Sequence, residues 1–281
     1  MDSPAKSVEE ELREENEALK KANQRLEKNF EEMLFLLLQI LEFRILGARD
    51  RAILGKTAAE YISERMNLSE GEKKRIAMAA FLHEIGKIGL PYGTIARECP
   101  SPPPSWHAVF QHHPVIGAML VSTLTGFKES AHDIYHQLEN YDGSGGPDKL
   151  REEELSVGAR ILRAINLFEE MFAAGKTTAE AVQRIRGAAN KSLDPKIAAF
   201  AAEFLIENDK SFSCDRVKCS LGDLRAGMVL AEDVCTCNGI KLLPKGICLQ
   251  EHMLRVLVER DQFDPIPGGV YVCRPVNDNP E

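Results

Sequence analysis

The sequence predicts a mainly α-helical protein in three parts: a coiled-coil helix over residues 1–46, a helical bundle over 47–210 and a small, mainly β module over 211–281. Three observations predict it. Leu12, Leu19, Leu26, Met33 and Ile40 recur every seven positions, capping and breaking signals punctuate helical patterns from about 43 to 208, and after Asp209 the chain changes to short apolar runs separated by Gly, Asn and Pro.

The first part carries a two-position seam, because Asn16, Asn23, Phe30 and Leu37 stand three residues before the last four heptad positions. Leu at one seam position and Asn at the other favours a parallel, in-register pair of helices, in which facing Asn side chains satisfy each other. The chain is therefore expected to be a homodimer through this helix. The alternative is one amphipathic helix folded back on its own domain.

In the second part, Ser69 with Glu72 three residues on has the form of a capping box for a helix running to about Leu82. Leu155–Ala174, Thr177–Ala189 and Pro195–Glu207 read as three further helices, the second capped by Thr177 and the third carrying Pro in its first turn. Cys99–Pro104, with three consecutive prolines, and Gly143–Pro147 read as loops. In the third part Val217–Leu221, Met228–Val234, Ile240–Leu243 and Gly269–Cys273 read as strands, with a hairpin turn at Asn238 and Gly239.

Composition narrows the function classes. With 281 residues, 44% hydrophobic and 28% charged, the chain has enough apolar surface to fold as a soluble protein. A net charge of -8 supplies no positive field for a phosphate backbone, so nucleic acid is not an expected partner. The charged N-terminus lacks the apolar core of a signal peptide, and the apolar run Met33–Leu41 is far short of a membrane span, which points to the cytoplasm and no membrane contact. Seven cysteines are then expected as reduced thiols, and the single short-spaced pair, Cys235 and Cys237, has an atypical spacing for zinc.

Chemistry-bearing residues fall in three clusters: Phe81–Gly89 with His83, Glu84 and Lys87; His112, His113, Pro114 and Gly117; and Glu139–Pro147 with Gly143, Ser144, Gly145 and Gly146. Histidines and carboxylates gathered from several helices build metal-dependent hydrolase sites, and a lysine one turn away meets a phosphate oxygen. Each cluster alone also reads as a polar helix end or an ordinary turn.

Taken together, "LHEIGKIGLP", "HPVIGAMLV", "ENYDGSGGPDKL", "ARILRAINLFEEM" and the turn Leu193, Asp194, Pro195 resemble the HD-GYP domain, a helical subclass of the HD phosphohydrolases, from about Gly47 to Glu207. The resemblance implies an all-helical domain that hydrolyses cyclic dinucleotides, chiefly cyclic di-GMP, at a centre of two or three metals. It implies metal-ligand roles for His83, Glu84 and His113, a phosphate contact for Lys87, and nucleotide binding by the amides of Gly143, Ser144, Gly145 and Gly146.

The chain departs from that pattern where the centre is built. No His precedes His83, Glu84 replaces an Asp, the family's His pair falls on Gln137 and Leu138, an Asp falls on Asn166, and the Tyr of the signature loop is Gly146. His136 stands one position too early, a shift of about 100° around a helix. The expectation is a non-catalytic signalling or scaffold protein with protein partners, which retains binding of a cyclic dinucleotide and needs no cofactor. The alternative is a phosphodiesterase with a reduced centre holding one weakly bound iron or manganese ion.

Overall fold

In the computed structural model, which describes residues 8–45, 47–90, 111–208, 216–243, 245 and 247–273, helix α1 runs unbroken from Val8 to Arg44. Its seam residues Leu12, Leu19, Leu26 and Met33 are each more than half exposed. The chain divides into two units, Met1–Ile40 and Leu41–Glu281. Among the described residues, no helix is long and apolar enough to cross a membrane.

The second unit begins with a turn held by Glu42. Gly47, in the left-handed region at φ 75, has no side chain to cap α2 (Ala48–Arg65). The buried Glu42 carboxylate does it instead, accepting from the Gly47 N–H at 2.6 Å and the Arg49 N–H at 3.0 Å. Along α2 the residues Ala48, Ala52, Gly55, Ala59 and Ile62 are buried at helical spacing, and this small-residue face lets α3 (Glu70–Leu82) pack close.

α3 starts at the predicted box, with Ser69 Oγ accepting from the Glu72 N–H and Glu72 accepting from the Ser69 N–H. A 3₁₀ turn follows at Ile85–Gly89, then α4 (His113–Ser122), α5 (Lys128–Tyr135), α6 (Val157–Ala173), α7 (Thr178–Ala188) and α8 (Pro195–Glu207). Thr177 caps α7 and Asp194 caps α8, where Oδ1 accepts from Lys196 N at 2.8 Å while Oδ2 accepts from Arg160 at 2.7 Å. Ile62, Ile76, Ile134, Ile165, Phe168 and Phe204 lie fully buried between these helices. Truncating a side chain such as Phe168 to Ala in such a core costs about 3–5 kcal/mol.

The C-terminal segment contains two antiparallel pairs. β1 (Arg216–Cys219) pairs with β4 (Val270–Cys273), Arg216 opposite Cys273, and β2 (Val234–Cys235) pairs with β3 (Lys241–Leu243) across the turn at Asn238 and Gly239. The mainly β expectation needs correction. A helix, α9 (Glu251–Asp261), lies between β3 and β4, and the predicted strand Met228–Val234 shrinks to its end, with isolated bridges at Val229 and Leu230. Leu257 of α9 joins Leu230, Val270 and Val272 in one core, so the helix supplies apolar cover that these short strands lack.

The module meets the helical part through Lys241, whose ammonium donates to the Glu42 carbonyl at 2.9 Å, and through Lys245, 2.9 Å from Asp50. The expectation of wholly reduced thiols is also corrected. Cys219, Cys235, Cys237 and Cys248 are free, but Cys273 at the end of β4 is disulfide-bonded. Counting thiols does not reveal which of them strand pairing brings into bonding reach. The Cys99–Pro104 loop and Cys214 lie outside the described residues.

Candidate functional site

The site forms where α3 ends. His83 closes that helix, Glu84 opens the 3₁₀ turn, and Gly86 lets the turn press onto α4: a Cβ there would run into the His113 carbonyl oxygen and the Gly117 backbone nitrogen. α2 delivers Arg51, α6 delivers Asn166 and Glu169, and the segment after α5 delivers Gln137.

His83 is fully buried. Its Nδ1 lies 2.6 Å from the Ala80 carbonyl, which only accepts, so Nδ1 carries a proton and donates. That leaves Nε2 facing Glu169 Oε2 at 3.1 Å. Burial pulls the His83 pKa down, but the Glu169 and Glu84 carboxylates together outweigh it and raise it, while burial raises Glu169.

Glu84 is the most heavily engaged member. Its Oε2 accepts from Arg51 Nε at 2.9 Å and lies 2.7 Å from a second guanidinium nitrogen, and its Oε1 is paired with the Lys87 ammonium. Burial pushes its pKa up, yet Lys87, Arg51 and His83 outweigh that and hold it well below the carboxylate range. It is ionised at neutral pH.

Gln137 and Asn166, expected at lost ligand positions, are hydrogen-bonded to each other. Gln137 Nε2 donates to the His83 carbonyl at 3.1 Å, and Asn166 Nδ2 donates to Gln137 Oε1 at 3.1 Å and to the Leu162 carbonyl at 3.1 Å. Leu138 is half-buried. His136 turns from the cluster, as its position implies, with Nε2 3.1 Å from Asp148 beside the glycine loop.

That loop folds over Glu139, whose Oε1 accepts from Asp148 N at 2.5 Å and Lys149 N at 2.8 Å, with Gly145 seated against the Glu139 and Asn140 backbone. The Gly143 N–H donates to Asn140 O at 2.9 Å and the Ser144 N–H to Asp142 Oδ1 at 2.9 Å. Two of the amides expected to face a phosphate are therefore engaged within the loop; a Cβ at Gly146 would meet open space.

Among the described residues, the metal donors that converge within 4.8 Å of one another are His83, Glu84 and Glu169. His113 is buried at the start of α4 and outside that group. Sequence reading missed Arg51 and Glu169. The available signal was a carboxylate at position 169, one turn after Asn166 on the apolar face of a helix.

A centre of two divalent ions needs about three protein donors for each. Here both Glu84 oxygens serve protein cations and the His83 nitrogen serves Glu169, so the residues present do not fit it.

The profile of the HD domain family matches residues 6–197. The chain belongs to the HD domain family. Its relatives include proteins named cyclic di-GMP phosphodiesterases. It is 30% identical over 151 residues to a cyclic di-GMP phosphodiesterase response regulator of Xanthomonas campestris, covering 53% of this chain and 40% of that one. It is 26% identical over 190 residues to a cyclic di-GMP phosphodiesterase of Thermotoga maritima, covering 64% and 51%. The chain thus spans about half the length, or less, of these relatives. A crystal structure of a cyclic GMP-AMP specific phosphodiesterase of Vibrio cholerae superposes with a TM-score of 0.50 at 18% identity over 64% of this chain and 49% of that one, which shows the shared HD fold.

Proposed function

We propose that this HD domain protein is a non-catalytic signalling or scaffold protein of the cytoplasm. One observation carries the reading: Arg51 and Lys87 take both oxygens of Glu84, the acid of the "LHEIGK" motif. Metal-assisted hydrolysis requires carboxylates open to cations that lower the pKa of water and neutralise phosphate oxygens. An acid closed by a guanidinium and an ammonium serves neither purpose, and Lys87 is drawn inward from the phosphate it would contact.

The exposed Leu12, Leu19, Leu26 and Met33 support dimerisation through α1, because a lone helix leaves this seam in water. Cyclic dinucleotide binding without turnover is the residual ligand role, inferred from the phosphodiesterase relatives.

The test is turnover of cyclic di-GMP and 3′,3′-cGAMP by the full chain with added manganese or iron. No product is expected. Metal-dependent turnover that His83→Ala abolishes overturns the reading.

The second reading, a hydrolase with one metal, draws on the convergence of His83, Glu84 and Glu169 and on Glu169 Oε1, a buried oxygen with no hydrogen-bond partner among the described residues. Stoichiometric iron or manganese after mild purification would favour it.

A further inference from the structure

We infer that Arg51 and Lys87 are built-in replacements for metal ions: their side chains neutralise the buried Glu84 carboxylate of the HD centre and exclude divalent cations from it. The inference rests on the same cluster as the non-catalytic reading and deepens it by naming what keeps the site closed.

The argument starts from charge. Glu84 and Glu169 are both buried, and an isolated buried carboxylate is strongly disfavoured unless it is paired or neutralised. A metal ion is one source of positive charge. In this chain Arg51 reaches Glu84 from α2, 33 positions away, and Lys87 reaches it from one turn along the chain. Two protein cations thus pair with Glu84, and His83 faces Glu169, before any metal arrives. A divalent ion entering the same space would leave a buried excess of positive charge, besides having to break contacts at 2.7 and 2.9 Å to Arg51.

Geometry adds a second reason. A guanidinium is a rigid fork that stays charged at any relevant pH, so the plug does not open by deprotonation. Its Nε and a terminal nitrogen both converge on Glu84 Oε2, the lone pairs an entering ion needs. The neighbouring amides are engaged as well: Asn166 donates to Gln137, and Gln137 to the His83 carbonyl.

The experiment compares full-length wild type with Arg51→Gln and Arg51→Lys after treatment with a chelator, using manganese alone as the probe. Binding is read by calorimetry and the melting midpoint by circular dichroism. Wild type is expected to bind no manganese at 100-fold excess and to melt unchanged with metal or chelator. Arg51→Gln is expected to bind about one manganese per chain at the same excess and to gain about 5 °C in melting midpoint on saturation. Arg51→Lys, which keeps the charge, is expected to bind no manganese at that excess, as wild type.

An Arg51→Gln chain that unfolds without metal and refolds with manganese supports the inference. A chain unfolded under both conditions overturns it, since the guanidinium would then matter for packing rather than charge. Stoichiometric manganese in wild type overturns it too. If such a wild type still turns over no nucleotide, the non-catalytic reading survives while this inference fails.

Discussion

Asn166 Nδ2 donates to Gln137 Oε1 at 3.1 Å, joining two positions where metal-dependent relatives are expected to carry ligands. The bond closes a chain of neutral amides from α6 to the His83 carbonyl. Asn166 Nδ2 also donates to the carbonyls of Gln137 and Leu162, so it faces three acceptors.

Restoring the acid alone should therefore harm the protein. Asn166→Asp would point a carboxylate at three acceptors with no added cation, and a loss of about 2–4 kcal/mol is expected. Urea midpoints at neutral pH measure it. A neutral or stabilising result would mean that the site supplies a cation to that position.

Glu84 should govern the acid limb of stability. Its folded pKa lies below the ordinary 4.5, so its contribution is fully present above that value and is lost as pH falls beneath it. Glu84→Gln leaves Arg51 and Lys87 with a neutral partner. It is expected to cost about 3–5 kcal/mol at pH 7 and to flatten the fall in urea midpoint between about pH 5 and pH 3.

Two glycines should behave oppositely on change to alanine. Gly86→Ala forces a methyl into the His113 carbonyl and the Gly117 backbone, neither of which is a flexible side-chain end, and a loss of about 3 kcal/mol or more is expected. Gly187→Ala, on an exposed helical turn with nothing within 4 Å, is expected to gain about 0.5–1 kcal/mol. Thermal melts of both variants decide the point.

Association should reside in α1. Leu19→Glu with Leu26→Glu places two charges on each copy of the exposed seam, and light scattering of the full chain is expected to shift from dimer to monomer. A dimer that survives both changes would place the contact elsewhere.

Local signals were legible in the sequence because their partners lie within one helical turn. Ser69 with Glu72, Thr177 with Glu180 and Asp194 with Lys196 are bonds across two or three residues, so the starts of α3, α7 and α8 follow from the order of side chains. The family was legible for a related reason, since its motifs are contiguous. α9 was not: its apolar run Met253, Leu254, Val256, Leu257 and Val258 is short and includes β-branched residues, as a strand would, and Leu257 is buried in the core that the β pairs share.

By itself, then, the sequence determined the helical class, the motif order and the presence of Gln137, Leu138 and Asn166 where the resemblance leads one to expect ligands. Tertiary structure alone decided what took their place. Arg51 meets Glu84 across 33 positions, and Glu169 meets His83 across 86. Neither pairing has a local signature, because the strength of a buried charge contact depends on how closely helices approach and how much water they exclude. Packing of α2, α3 and α6 turned four dispersed charged residues and one histidine into a closed ion cluster.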